Sequence, residues 1–155
     1  MKNVKKISKK INELLISNVE TERVFLNLLD SVDNTLLKNF LRVAGYERNQ
    51  FIKGLDLELR NLGTTPTYPE DSLNNKPEIT KELRRLFTEG KNNLALNRIG
   101  RLQIKVIEKY KKLINNVDFE ESTEKLLKEQ LDKMITMLYS IDIHKDLLSR
   151  APISA

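Results

Sequence analysis

Phe40-Leu41-Arg42-Val43-Ala44-Gly45-Tyr46-Glu47-Arg48-Asn49-Gln50-Phe51-Ile52-Lys53-Gly54-Leu55 is the stretch on which the fold turns. Phe40, Ala44, Phe51 and Leu55 recur at helical intervals and share one face of a helix. Glu47 falls within that face, where a carboxylate is costly unless it is paired, hydrogen-bonded or bound to a metal. Upstream, Val4, Ile7, Ile11, Leu14, Phe25, Leu28 and Val32 form a second stripe over about residues 3–32, interrupted by Asn18, Thr21 and Glu22. Two helices with polar groups at mid-height predict a bundle with a buried polar layer, the level at which helical bundles place metals.

Asp33 or Asn34 is placed to cap the helix that carries Glu47, predicted over about residues 35–62 and closed by Gly63. The link back to the first helix is short, so the two must be antiparallel neighbours. Residues 63–77 hold Gly63, Pro66, Pro69 and Pro77 and read as one long crossover. A short amphipathic helix follows at about 78–89, with Ile79, Leu83, Leu86 and Phe87 on one side, and ends at Gly90. The third long helix, about 92–116, should bury Leu96, Ile99, Val106, Leu113 and Val117. Asp118 or Ser122 is expected to cap a fourth, about 120–146, whose stripe of Leu127, Leu131, Met134, Leu138 and Ile141 is apolar at every step. These elements predict an all-α, ferritin-like four-helix bundle with the crossover between its second and third long helices and a short extra helix within it. One domain over residues 1–150 and a flexible tail at 151–155 complete the expectation.

Composition agrees with that architecture. A chain of 155 residues suffices for one core, and 39% apolar with 32% charged residues suits one buried stripe per helix. The absence of Cys excludes disulfides, thiolate metal sites and cysteine nucleophiles. No apolar run approaches the roughly 20 residues needed to span a membrane. Met1-Lys2-Asn3-Val4-Lys5-Lys6 is basic but leads into an amphipathic pattern, so a cytoplasmic protein without membrane attachment is expected. The net charge of +5 is a mild bias on a mixed surface and does not by itself argue for nucleic acid.

Several segments carry a family likeness. Asn12-Glu13-Leu14-Leu15, Glu20-Thr21-Glu22-Arg23-Val24-Phe25, Glu47-Arg48-Asn49-Gln50-Phe51 and Leu59-Arg60-Asn61-Leu62-Gly63 with Pro66 follow one another in order. Gly100, Tyr110 and Glu129-Gln130-Leu131 extend the pattern. Over about residues 4–143 the chain resembles a group of bacterial ferritin-like four-helix-bundle proteins of unknown function. Members of that group commonly carry acidic residues around the glycine of the third helix and a His late in the fourth. Arg98, Arg101 and Leu138 stand at those positions here.

A dinuclear site in such a bundle needs a Glu from each of two helices and a Glu-x-x-His from each of the other two. Glu22 and Glu47 are the available carboxylates, and Gln50 stands where the imidazole should follow Glu47. Arg98, Arg101 and Gln103 lie near mid-height on the third helix, and an arginine close by repels a dication and pairs with the carboxylate instead. The reading is therefore a degenerate metal site (Glu22, Glu47, Gln50) converted into a buried polar layer of Asn18, Thr21, Glu22, Glu47, Gln50, Arg98, Arg101 and Gln103. Neither a catalytic residue nor a cofactor is expected. His144 has no nucleophile spaced to suit it, and Met134 and Met137 read as core. The basic cluster Lys2, Lys5, Lys6, Lys9 and Lys10 and the ridge Arg98, Arg101, Lys105, Lys109 and Lys112 read as solvated faces, without nucleic-acid contact. What is expected is a non-catalytic bundle acting by self-association, with a dimer favoured, or by partner binding. The alternative is a ferritin-like protein that binds iron or manganese at a residual site.

Overall fold

The computed structural model describes residues 3–70 and 78–150. Lys2, Pro77 and the tail expected at 151–155 lie outside the described residues. Among the described residues the regular elements are all helical: α1 (Val4–Asn27), α2 (Thr35–Asn61), α3 (Glu78–Thr88), α4 (Asn92–Asn116) and α5 (Glu121–Arg150), with a 3-10 turn at Leu29–Ser31.

The helix ends follow from local chemistry. Asn3 and Asn34 cap α1 and α2 by accepting from the backbone N–H groups of Lys6 and Leu37. Gly63 (φ 81°) and Gly90 (φ 75°) take the left-handed conformation that closes α2 and α3, which a side chain would oppose. The first helix stops sooner than its apolar stripe suggests, because the Leu28 N–H turns back to Phe25 O (3.3 Å) and tightens the chain into the 3-10 turn. Val4, placed in that stripe by spacing, is exposed. The last helix begins at Glu121, so Ser122 lies inside its first turn and Asp118 precedes it by three residues. It runs to Arg150, beyond the expected end, where Lys145–Asp142 and Arg150–Asp146 pairs support the extra turn and Leu148 reaches the core.

Each long helix runs antiparallel to the two it packs against. Asn18 meets Arg48 and Ser8 meets Thr64, which sets α2 against α1. Gln103 meets Met137 and Tyr110 meets Gln130, which sets α5 against α4. Lys109 reaches Ser17, and Thr123 reaches Glu58, joining α1 to α4 and α2 to α5. The residues after α2 are fastened to the outside of α1. Asn12 exchanges two hydrogen bonds with the Thr67 backbone (2.8 and 3.0 Å), and Arg23 donates to Pro69 O and Glu70 O. The Tyr68 hydroxyl donates to Asp56, which also accepts from Arg60 Nε at 2.7 Å. Burial and that bond push the Tyr68 hydroxyl up to about 12, and the Tyr68 and Arg60 donors hold the Asp56 carboxyl below its ordinary range. The short helix α3 closes one end, with Leu83, Leu86 and Phe87 buried and Arg84 donating to Ser31 Oγ and Asn27 O.

The core has two apolar halves. One gathers Ile11, Leu15, Leu55, Leu59, Val106 and Leu127; the other gathers Phe25, Leu28, Leu41, Leu83, Leu96 and Ile141. Two helical glycines show how tightly the helices fit. A Cβ at Gly54 would stand 3.2 Å from Gln130 Nε2 and 3.3 Å from Leu126 Cδ1, whereas at Gly100 the nearest atoms are 3.7 Å away. Gly100→Ala is therefore expected to stabilise by about 0.5–1 kcal/mol through helix propensity. Gly54→Ala should show little or none of that gain, because the new methyl displaces the Gln130 amide. Thermal unfolding of the two variants side by side checks the contrast.

A buried cationic layer as the candidate functional site

Between the two apolar halves every long helix contributes a polar side chain. The series Leu37, Leu41, Ala44, Arg48, Phe51, Leu55 and Leu59 steps along α2 by three and four, and it places Arg48 at its centre. Asn18 holds the same position between Leu14 and Phe25 on α1. Gln103 and Tyr110 continue Leu96, Ile99, Val106 and Leu113 on α4, and Gln130 and Met137 continue Leu127, Met134 and Ile141 on α5.

Arg48 is the hub and has no exposed surface. Its Nη1 donates to Asn18 Oδ1 at 2.7 Å and its Nη2 donates to Gln103 Oε1. Asn18 Nδ2 donates to the Tyr110 hydroxyl and to Leu14 O, both at 2.9 Å. Tyr110 in turn donates to Gln130 Oε1 at 2.6 Å, Gln130 Nε2 donates to Phe51 O at 3.2 Å, and Gln103 Nε2 donates to Met137 Sδ at 2.6 Å. The guanidinium carbon lies 5.7 Å from the centre of the Phe51 ring, a cation–π distance. Among the described residues no carboxylate forms an ion pair with Arg48, and its Nε has no hydrogen-bond partner. Burial pulls the guanidinium down to about 10, which still leaves it charged at neutral pH. Burial pushes the Tyr110 hydroxyl up, so it stays protonated and keeps donating.

The layer differs in membership from the one expected. Asn18 and Gln103 are in it; Thr21 is buried one turn away but bonds only to Ser17 O (2.8 Å) of its own helix. Gln50 faces solvent, because the buried arc of α2 is centred on Arg48 and position 50 points away from it. Arg98 and Arg101 are also exposed, since the inward series of α4 passes through Ile99 and Gln103 instead. Arg98 pairs with Glu82 of α3 at 2.7 Å, out of reach of Glu47. Nor is the stripe of α5 apolar throughout, as Gln130 is buried within it.

Glu22 and Glu47 sit at the margin, half-buried, and neither hydrogen-bonds to the layer. Glu47 Oε1 is shielded from solvent without a partner. Burial raises its carboxyl above the ordinary 4.5, against the lowering influence of Arg48 and then Lys133. Glu47 thus holds its proton more tightly folded than unfolded, so stability is greatest below its ordinary value and falls as pH rises through the raised one. Glu47→Gln is expected to be more stable than the parent near pH 7 and to lose that advantage near pH 4, as thermal midpoints at the two pH values would reveal.

No family model, curated protein or solved structure matches the chain.

The donor set can be tested against a metal directly. Three amides and a phenol with a guanidinium hydrogen-bonded among them present no anionic ligand, and the fixed positive charge repels a dication. No group of three or more His, Asp or Glu side chains able to share an ion occurs among the described residues. The residues present do not fit a dinuclear metal centre. His144 lies towards the far end of α5, its ring packed at a tilt of 60° against Phe40 (ring centres 4.9 Å apart) with Nδ1 2.8 Å from Ser140 O. The basic ridge of α4 is dispersed, with Arg98 held by α3 and Lys109 donating to Ser17 Oγ at 2.9 Å. Lys109 stands beside a cleft of about 480 Å³ between α1 and α4, floored by Leu14, Leu113 and Val117.

Proposed function

We propose that this chain is a ferritin-like four-helix bundle of one domain in which the metal level has become a cationic hydrogen-bonded layer, and that it acts non-catalytically by self-association or partner binding in the cytoplasm. The antiparallel packing of α1, α2, α5 and α4, with the long connection crossing between α2 and α4, supports the bundle reading. The observation that carries the functional reading is Arg48. A guanidinium fully buried at mid-height, with its terminal nitrogens engaged by Asn18 and Gln103, occupies the space and reverses the charge that a metal pair requires. A layer of this kind selects one register of four helices, and a rigid register serves a protein that works through its outer faces.

The test is metal content after growth with added iron or manganese, measured alongside light scattering. Metal-free protein that scatters as a dimer is the expected result. Stoichiometric metal that disappears on Glu22→Ala or Glu47→Ala would overturn the reading.

A further inference from the structure

The outer side of the α4/α5 seam carries a charge pattern with its own symmetry. Asn97, Arg101, Ile104, Glu108 and Lys111 step along α4 by four and three, and Lys128, Asp132, Ile135, Tyr139, Asp142 and Asp146 do the same along α5. Apart from Ile135, which is half-buried, these residues are exposed. Bonds from Tyr110 to Gln130, Gln103 to Met137 and Lys145 to Asn97 fix how the two antiparallel stripes align. Arg101 then stands level with Tyr139, Ile104 with Ile135, Glu108 with Asp132, and Lys111 with Lys128. Asp142 and Asp146 occupy the end beyond Arg101.

Read along the seam, the charge is negative, positive, apolar, negative and positive. Rotation by half a turn about an axis beside Ile104 brings each charge of one copy onto its opposite in another. Arg101 and Tyr139 meet the partner copy's Glu108 and Asp132 level, Asp142 and Asp146 meet its Lys111 and Lys128 level, and Ile104, with Ile135 behind it, meets its own counterpart at the middle. A surface that complements itself under a two-fold axis is what an isologous dimer requires. Arg101 and Glu108 have no side-chain partner among the described residues, and two helical turns apart they cannot reach each other. Ile104 between them is 44% exposed and Tyr139 is 68% exposed. At the ends, Asp142 and Lys128 hold only loose contacts, to Lys145 at 3.9 Å and Glu124 at 3.6 Å, while Asp146 pairs with Arg150 at 3.1 Å. Exposed pairs of this kind are worth at most about 1 kcal/mol each and can be exchanged for pairs across an interface. A further exposed apolar stripe, Val43, Tyr46 and Leu57 on α2, lacks this property. Arg42 and Lys53 flank it with one sign of charge, so two copies brought together there repel.

We propose that the α4/α5 face is a homodimer interface, with a second copy of this chain docked antiparallel about an axis beside Ile104. This rests on the self-association reading above and adds the face, the geometry and the pairs that specify it. The footprint spans about 21 Å of helix (15 residues of α4) and is two helices wide, so association should be modest and weakened by salt.

Charge reversal with light scattering tests it. Arg101→Glu and Glu108→Arg should each raise the dimer dissociation constant about tenfold or more, and the Arg101→Glu/Glu108→Arg double variant should recover most of the loss. Because the chain has no cysteine, Ile104→Cys provides a second readout: oxidation should link two copies through the axis, while Val43→Cys on α2 should not link them. Circular dichroism confirms that each variant keeps its helicity. A parent protein that stays monomeric at all concentrations sinks self-association and this face together. A parent dimer indifferent to both reversals, and cross-linked no better at 104 than at 43, leaves self-association standing and overturns this face.

Discussion

Arg48→Ala is expected to cost about 4 kcal/mol or more, a large part of the roughly 5–15 kcal/mol that holds a domain of this size together. Three effects add in the same direction. Removing a long, fully buried side chain leaves a cavity at the meeting point of four helices, where collapse is limited by neighbours from every side. Asn18 Oδ1 and Gln103 Oε1 lose their charged donor and stay buried, at a cost of about 1–3 kcal/mol each. The Phe51 ring also loses the cation it faces. One effect opposes them, because the variant no longer carries the desolvation cost of an unpaired guanidinium. The opposing effect is smaller, since the parent guanidinium already recovers much of that cost through two amide oxygens. Urea unfolding of Arg48→Ala beside Arg101→Ala, an exposed arginine, is the measurement. A loss below about 1 kcal/mol at position 48 would mean that the layer does not hold the helices.

Much of the helix plan was legible because its signals are local. Asn34, Gly63 and Gly90 mark ends through capping and left-handed backbone, which need no tertiary partner. The layer was legible in kind but displaced by one residue on α2. Phe40 and Leu41 are both buried, as are Phe51 and Ile52, so the buried arc is wide enough to admit either Glu47 or Arg48 as its centre. Phe40, Ala44, Phe51 and Leu55 alone do not choose between them; Leu37, Leu41 and Leu59 do, and they select Arg48. Prior expectation works against that choice, since arginine is seldom fully buried. Gln130 carried a clearer signal, standing between Leu127 and Met134 at the strict spacing of the core. What the sequence could not display is the order of bonds from Arg48 through Asn18 and Tyr110 to Gln130, because that depends on how high each helix sits against the next.

The triple replacement Asn18→Leu/Arg48→Met/Gln103→Leu is expected to behave in the opposite way to Arg48→Ala, gaining about 1–4 kcal/mol while losing the single arrangement of the helices. It removes the buried charge together with both acceptors it served, so no polar atom of Arg48, Asn18 or Gln103 is left without its partner. Leu and Met restore volume and join the two apolar halves into one continuous core. Tyr110 keeps Gln130 as its acceptor, so the hydroxyl stays satisfied. The parent layer, however, ties α1, α2 and α4 through bonds that form at one relative height only. Leucine against leucine tolerates a slip of a turn, and the nearby Met137, released from Gln103, adapts its shape to any neighbour. The triple variant should therefore show a higher urea midpoint together with broadened side-chain resonances and faster amide exchange around Leu14, Phe51 and Val106. Higher stability with sharp resonances would show that apolar shape alone sets the register. Lower stability would show that the charged layer contributes net free energy to the fold, and the case for a layer retained for specificity would fail.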